Sequence, residues 1–553
     1  MYWFSSMRTL AVTLLFVTAV QAQRDRSHGR STVISQGGIV ATSQVLASQA
    51  GAQILAQGGS AVDAAIAANA VLGVVEPGMD GIGGDLFVLY REAKTGKLHG
   101  LNGSGYAPKG LTRDYLLKKG HRTMPGEGID SVSVPGCVDG WAKMHERFGK
   151  LPWKTLFTAA IHYAENGFPI QEMDSASWDS PRMKGRPESK AVFQPEGRAP
   201  KAGDIFRNPG LARALKLIAA NGPREFYQGE LSLSILNTVR KHGGVMNAED
   251  LAQFNSEWVT PISTDYRGWR VSELPPNGQG ISALIMLNLM ERFQPGPVTM
   301  HAEWLHTKIE AMKLAYSDLG AYVADPKFAT VPVEPLLAKP YAAERAKQIK
   351  PQANCDAKPG QPIASDTTYL SVVDKEGNIA SWIQSVSSLW GSGIVVDGMG
   401  FHLHNRAAGF TMDPKHPNVV AGRKRPFHTI IPGMLQKGDT HIGFGIMSGA
   451  NQPLAHAQFV SNYVDHGLNL QAALEAPRFT KGNAKGRNVT IESRVGIEAI
   501  QGLSAKGHML DVRGEHSTRM GRGNAVLFDA RNKVMMGASD SRADGAAIPE
   551  PLR

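Results

Sequence analysis

The sequence predicts an α+β protein with a layered αββα architecture, and three observations carry that prediction. Thr367–Asp374 is a β-rich run, Lys375–Asn378 supplies a turn and Ile379–Val386 returns as a second strand, which makes a hairpin. A second hairpin lies near the end, at Asn524–Asp529 and Lys533–Gly537. Helical spacing marks Ser43–Gln57, Ala302–Leu319, Asn451–Val464 and Leu470–Ala476. Paired strands mixed with helices in this way belong to layered antiparallel sheets and not to a parallel doubly wound sheet.

The elements follow from local chemistry. Ser43–Gln57 is Ala-rich and stops at Gly58-Gly59, and Ser60 with Asp63 three residues later reads as the cap of a second helix. That helix ends near Glu76-Pro77, and the glycine-rich turn Gly78–Gly84 leads into the strand Asp85–Tyr90. From Asp139 to Ala346 amphipathic helical stretches alternate with Pro-rich loops. Pro351–Ala364 loses hydrophobic residues and gathers Pro, Gly and Lys, so it reads as an exposed linker before the first hairpin.

Composition narrows the function. The 553 residues are 42% hydrophobic and 20% charged, an ordinary globular balance, and length alone suggests three or four domains. The net charge of +10 comes without a Lys/Arg block, which argues against nucleic acid as a partner. Met1–Ala22 has the form of a secretory signal: Arg8 precedes the apolar stretch Thr9–Val20, and Val20-Gln21-Ala22 suits cleavage. The apolar stretch is shorter than the roughly 20 residues a bilayer span needs, so a periplasmic or secreted protein without a stable membrane span is expected. Cys137 and Cys355 would then meet an oxidising compartment, but two cysteines fix neither a disulfide nor a zinc site.

Familiar catalytic signatures are absent: there is no G-x-S-x-G elbow, no H-E-x-x-H and no P-loop. His402 and His404 form an H-x-H pair that would share one face of a strand, but no further ligand joins them at metal spacing. The glycines of Gly78–Gly84 and Gly391-Ser392-Gly393 lack the context of a dinucleotide fingerprint, so neither a metal nor a cofactor is expected. The better candidate is the junction Asp366-Thr367, where an accessible loop meets a strand. If that bond is cut, the freed α-amino group, with a pKa of about 8, sits beside the Thr hydroxyl, and nucleophile and base become one residue. Thr at a strand start also has a bland explanation in β-propensity.

The resemblance to a known family decides between these. Thr367–Asp374 with Gly377-Asn378 resembles the start of the small subunit of γ-glutamyltransferases, also called glutathione hydrolases. Gly59–Ala65, Gly73–Pro77, Gly81–Gly84, Gly391–Gly393, Arg425-Pro426, Asp465–Asn469, Ala476–Phe479 and Gly537–Gly545 are similar to further motifs of that family in the same order. The resemblance implies an N-terminal nucleophile hydrolase of αββα fold, made as a precursor that cuts itself before Thr367. One domain would then consist of a large subunit, 23–366, and a small subunit, 367–553, after a signal of 1–22. It implies Thr367 as nucleophile, Ser385 as the second hydroxyl beside it, and the backbone N–H groups of Ser448-Gly449 as oxyanion donors. The default substrate is glutathione or another γ-glutamyl amide, with water or an amine as acyl acceptor.

The substrate grip departs from the family pattern. The Arg that usually holds the glutamyl α-carboxylate is replaced by Ser104, and an Asn by Ser387. The residues that usually grip the α-amino group become Arg406 and Gly409, and a Ser-Ser pair becomes His428-Thr429. An Arg in that place repels an ammonium and attracts a carboxylate. Two expectations stay open: Arg406, His428 and Arg425 contact the carboxylate of an acyl group without an α-amino group, of oxamate or glutaryl type, or they are structural. A processed binding protein on the same fold is the non-enzymatic alternative.

Overall fold

The computed structural model describes residues 28–183, 185–354 and 367–552. The predicted signal, Cys355 and Asp366 lie outside them. Two seven-stranded antiparallel sheets form the centre. One runs, edge to edge, through Ala546–Pro549, Ile39–Thr42, Thr368–Val373, Ile379–Ser385, Asp85–Arg91, Leu98–Gly103 and Glu257–Val259. The other runs through Val33–Ser35, Val534–Ser539, Gly523–Asp529, Thr440–Ile446, Gly433–Lys437, Trp269–Glu273 and Ile262–Tyr266.

The central strands of the first sheet are buried on both faces, and their side-chain alternation sorts them into separate cores. In the first hairpin Tyr369, Val373, Ile379 and Ile383 enter a core between the sheets with Phe87, Leu89, Met434 and Val526. Leu370, Val372, Ala380 and Trp382 enter the opposite core, against the helices Val45–Ala56 and Ala61–Val75. The second sheet carries Gly280–Met290, Ala302–Tyr322 and Gln452–Val464 on its outer face. The order helix, sheet, sheet, helix is the αββα arrangement that the hairpins predicted.

The capping box at Ser60 and Asp63 forms as expected. Each sheet interleaves strands from before and after the predicted cut, so both parts of the sequence share the same two sheets. Among the described residues no helix is long and apolar enough to cross a membrane. Cys137 is buried and has no disulfide partner among the described residues, and burial pushes its thiol well up.

Candidate active site

Sheet register places the predicted residues. Thr368 pairs with Gln384, so Thr367 stands opposite Ser385 one step further along. Odd-numbered positions of this hairpin face the space between the sheets, and Thr367 and Ser385 therefore share that face with Tyr369 and Ile383. Thr367 Oγ1 lies 3.4 Å from Ser385 Oγ, and the latter accepts the Ser387 N–H at 2.8 Å. Thr368 turns the other way and donates to Glu76 at 2.8 Å; the same carboxyl oxygen accepts from Ser43 at 2.7 Å. This anchor holds the beginning of the strand. Ser385→Ala removes the hydroxyl beside Thr367 and leaves the Ser387 N–H without its acceptor, so we expect precursor cleavage to slow, measured as the rate at which two chains appear on a denaturing gel.

The row continues across the sheet. Ser385 pairs with Asp85, and Leu86 with Gly103, which sets Ser104 beside Asp85. Thr367, Ser385, Asp85 and Ser104 thus lie on neighbouring strands spaced ~4.8 Å apart. Asp85 is the centre of a buried charge cluster that sequence reasoning missed. Its Oδ2 accepts from Arg406 Nε at 2.8 Å and from His428 Nε2 at 2.8 Å, and lies 3.1 Å from His404 Nδ1. Its Oδ1 accepts the Gly105 N–H at 3.0 Å. Burial opposes ionisation of Asp85, but the facing His404 and His428 outweigh it and hold the carboxyl well below its ordinary range.

His428 is pushed down to about 4 by burial and then by Arg406. Its Nδ1 faces the Ile430 N–H at 3.3 Å, so the network assigns the proton to Nε2, toward Asp85. Both ring nitrogens are thereby engaged, with His428 orienting Asp85, which agrees with the structural one of the two expectations for this residue. Arg425 is also committed, to Glu257 at 2.8 Å, to the Ser104 carbonyl at 2.9 Å and to the Asn255 carbonyl at 3.2 Å, and takes the structural alternative. Ser104 Oγ donates to Asn102 at 2.8 Å and accepts from Asn277 at 3.2 Å. Arg406 differs from these. Its Nη1 donates to Thr429 Oγ1 at 2.9 Å, while its buried Nη2 has no hydrogen-bond partner among the described residues.

Between the strand Thr440–Ile446 and the helix Gln452–Val464 the chain makes two successive left-handed residues, Ser448 at φ 111° and Gly449 at φ 51°. Consecutive residues of this kind can turn backbone N–H groups to one side as an anion-binding concavity. Gln279 braces the turn, donating to the Thr429 carbonyl at 2.5 Å and the Gly449 carbonyl at 2.8 Å. We expect Gln279→Leu to lower kcat at least tenfold with KM little changed, because the brace shapes the turn without reaching the acyl group; equal kcat would remove it from the site.

The H-x-H residues separate. His404 joins Asp85, whereas His402 stacks on Phe193 with ring centroids 4.5 Å apart, and neither of its nitrogens has a hydrogen-bond partner. Burial, then Arg186, pushes His402 down to about 3. The unfolded chain therefore takes up a proton as pH falls below about 6.5 while the folded chain does not, and stability is lost down to about pH 3. Replacing His402 by Phe is expected to stabilise the protein by about 2 kcal/mol more at pH 5 than at pH 7.5, read from denaturant midpoints at the two pH values.

One other cluster has a metal-like donor set: His306, Glu310 and His508 bring ligand atoms within 4.8 Å of one another. The two rings already bond each other at 2.8 Å, and Lys313 sits on Glu310 at 2.6 Å and on the Asn354 carbonyl at 2.8 Å. With His306 also bonding the Lys350 carbonyl at 2.7 Å, the cluster ties the segment that ends at Asn354 to His508. The lysine occupies the place of a cation, and the cluster reads as structural.

A four-layer sandwich with a buried Thr at the start of a central strand, a hydroxyl opposite and a left-handed turn nearby has the framework of an N-terminal nucleophile hydrolase. The family model for gamma-glutamyltranspeptidase matches residues 47–550, and the chain belongs to that family of self-processing amidohydrolases. It is 36% identical over 527 residues to the glutathione hydrolase-like YwrD proenzyme of Bacillus subtilis, covering 94% of this chain and 99% of the relative. It is 30% identical over 529 residues to the oxamate amidohydrolase proenzyme of Klebsiella pneumoniae, covering 94% and 99%. Among solved structures, cephalosporin acylase from Bacillus halodurans superposes with a TM-score of 0.89 at 40% identity, covering 96% of this chain and 99% of that one.

Proposed function

We propose that the protein is an exported amidohydrolase for acyl groups that carry a carboxylate and no α-amino group, of the oxamate or glutaryl type. The observation that carries this reading is Arg406: buried, fixed by Asp85 and Thr429 beside the row that begins at Thr367, and with an Nη2 that has no hydrogen-bond partner among the described residues. A guanidinium so held is ready for a carboxylate. The carboxylate an α-ammonium would seek, Asp85, is already occupied by Arg406. A relative named as an oxamate amidohydrolase supports the same substrate class.

In this reading Thr367 Oγ attacks the carbonyl carbon of Asp366 in the precursor, its proton passes to the departing nitrogen as the Asp366–Thr367 C–N bond breaks, and the resulting ester, now with a free Thr367 amino group, is hydrolysed by water to the Asp366 carboxylate and the Thr367 hydroxyl. In turnover that amine takes the hydroxyl proton as Oγ attacks the substrate amide. Ser448 and Gly449 N–H groups steady the oxyanion, and the leaving amine departs with the proton. Water then attacks the Thr367 ester, releases the acid and restores the hydroxyl.

The test compares kcat/KM of the processed enzyme for glutaryl-p-nitroanilide, oxamate and γ-glutamyl-p-nitroanilide. We expect glutaryl or oxamate turnover to exceed γ-glutamyl turnover at least tenfold. Dominant γ-glutamyl turnover would overturn the substrate assignment and restore glutathione-like amides as the substrate. A mature N-terminus at Gln23 would support export.

A further inference from the structure

We propose that Gln452 is a catalytic residue, whose carboxamide N–H donates to Thr367 Oγ1 in the precursor and bears on the same oxygen and the developing oxyanion in turnover. The proposal rests on the reading of Thr367 as the nucleophile. Gln452 is fully buried, at the first residue of the helix Gln452–Val464. Its Oε1 accepts the Ile431 N–H at 3.0 Å, which fixes the orientation of the amide. The NH₂ group is therefore turned to the other side, where Nε2 lies 3.4 Å from Thr367 Oγ1. Oγ1 lies at the same 3.4 Å from Ser385, so the nucleophile is held between an acceptor on the returning strand and a donor on the helix.

Three physical consequences follow from this placement. The donor steadies the oxygen as it loses its proton and gains negative charge. The helix N-terminus from which it projects contributes a favourable dipole to the same charge. When the acyl ester later breaks at this oxygen, the same N–H supports it as the leaving group. Ser448 and Gly449 lie only a few residues before Gln452, at the turn into its helix, so backbone and side-chain donors reach the site from one short segment.

The experiment uses the full-length precursor, whose self-cleavage needs no knowledge of the substrate. Thr367→Ala, Gln452→Leu and Gln452→Glu are purified, checked by thermal melting, and followed for the appearance of two chains. Gln452→Leu is expected to slow self-cleavage at least 100-fold, the range seen when an oxyanion donor is removed. Gln452→Glu keeps an acceptor for Ile431 and regains a donor only when its carboxyl is protonated, so its cleavage rate is expected to rise as pH falls from 8 to 5. The wild type lacks that rise, and a residue with a merely structural role would not produce it. Where processed enzyme is obtained, kcat for glutaryl-p-nitroanilide falls in parallel with KM within threefold.

Wild-type cleavage rates and a wild-type pH profile in Gln452→Glu, with Thr367→Ala uncut, would overturn the role of Gln452 alone. If Gln452→Leu fails to fold, the Gln452→Glu pH profile decides. Cleavage of Thr367→Ala would overturn the nucleophile and, with it, this proposal.

Discussion

Thr367→Ala is expected to yield a single uncut chain without amidase activity. The variant loses one hydroxyl and one methyl group at a fully buried position, whose neighbours on the strand are held by six cross-strand pairs and by the Thr368 bond to Glu76. The fold therefore survives, while the oxygen that attacks both the precursor carbonyl and the substrate is gone. The expected loss in kcat is at least 10⁴-fold, in line with removal of a nucleophile that acts as part of a unit. Gel electrophoresis, mass spectrometry of the chains and an amidase assay check it. Two chains cut before residue 367 in this variant would refute the assignment. Thr367→Ser, which keeps the hydroxyl, is expected to cleave.

Arg406→Met is expected to lower kcat/KM for a glutaryl or oxamate amide by 10²–10³-fold, about 3–4 kcal/mol at 25 °C, the scale of a lost buried charge-assisted hydrogen bond. The same change is expected to leave or to raise the low activity toward γ-glutamyl-p-nitroanilide, because the cation that repels the α-ammonium is removed. Deleting Arg406 also strands Asp85 as a buried carboxylate, and breaking such a pair costs about 3–5 kcal/mol of stability. Arg406→Met with Asp85→Asn removes both charges and separates the two effects: restored melting temperature with persistent loss of glutaryl activity is the outcome expected. Equal losses on both substrate classes would show that Arg406 supports the fold and does not choose the substrate.

The strands and helices nearest the site were legible because each carries a local signal. Alternating β-branched residues with a Gly-Asn turn mark the hairpin after Thr367, and Ser60 with Asp63 marks the start of the helix Ala61–Val75. The H-x-H pair does not lie on one strand, so its rings part: one packs on Phe193 and the other meets Asp85. His428 depends on the fold in a related way. A histidine beside a predicted binding residue reads as a contact, but which atoms its two nitrogens meet depends on a strand far away in the chain.

Asp85 was visible only as the first residue of a good strand, since a carboxylate acquires its meaning from the charges that face it. Arg406 lies 321 residues from Asp85, and Gln452 lies 85 residues from Thr367. The sequence by itself determined the layered architecture, the family and the strand on which the candidate nucleophile sits, because β-alternation, turn chemistry and ordered motifs are local properties. Only the tertiary structure decided the company that nucleophile keeps. Register across four strands aligned Thr367, Ser385, Asp85 and Ser104, and packing of the second sheet's helix layer turned one buried carboxamide toward the hydroxyl.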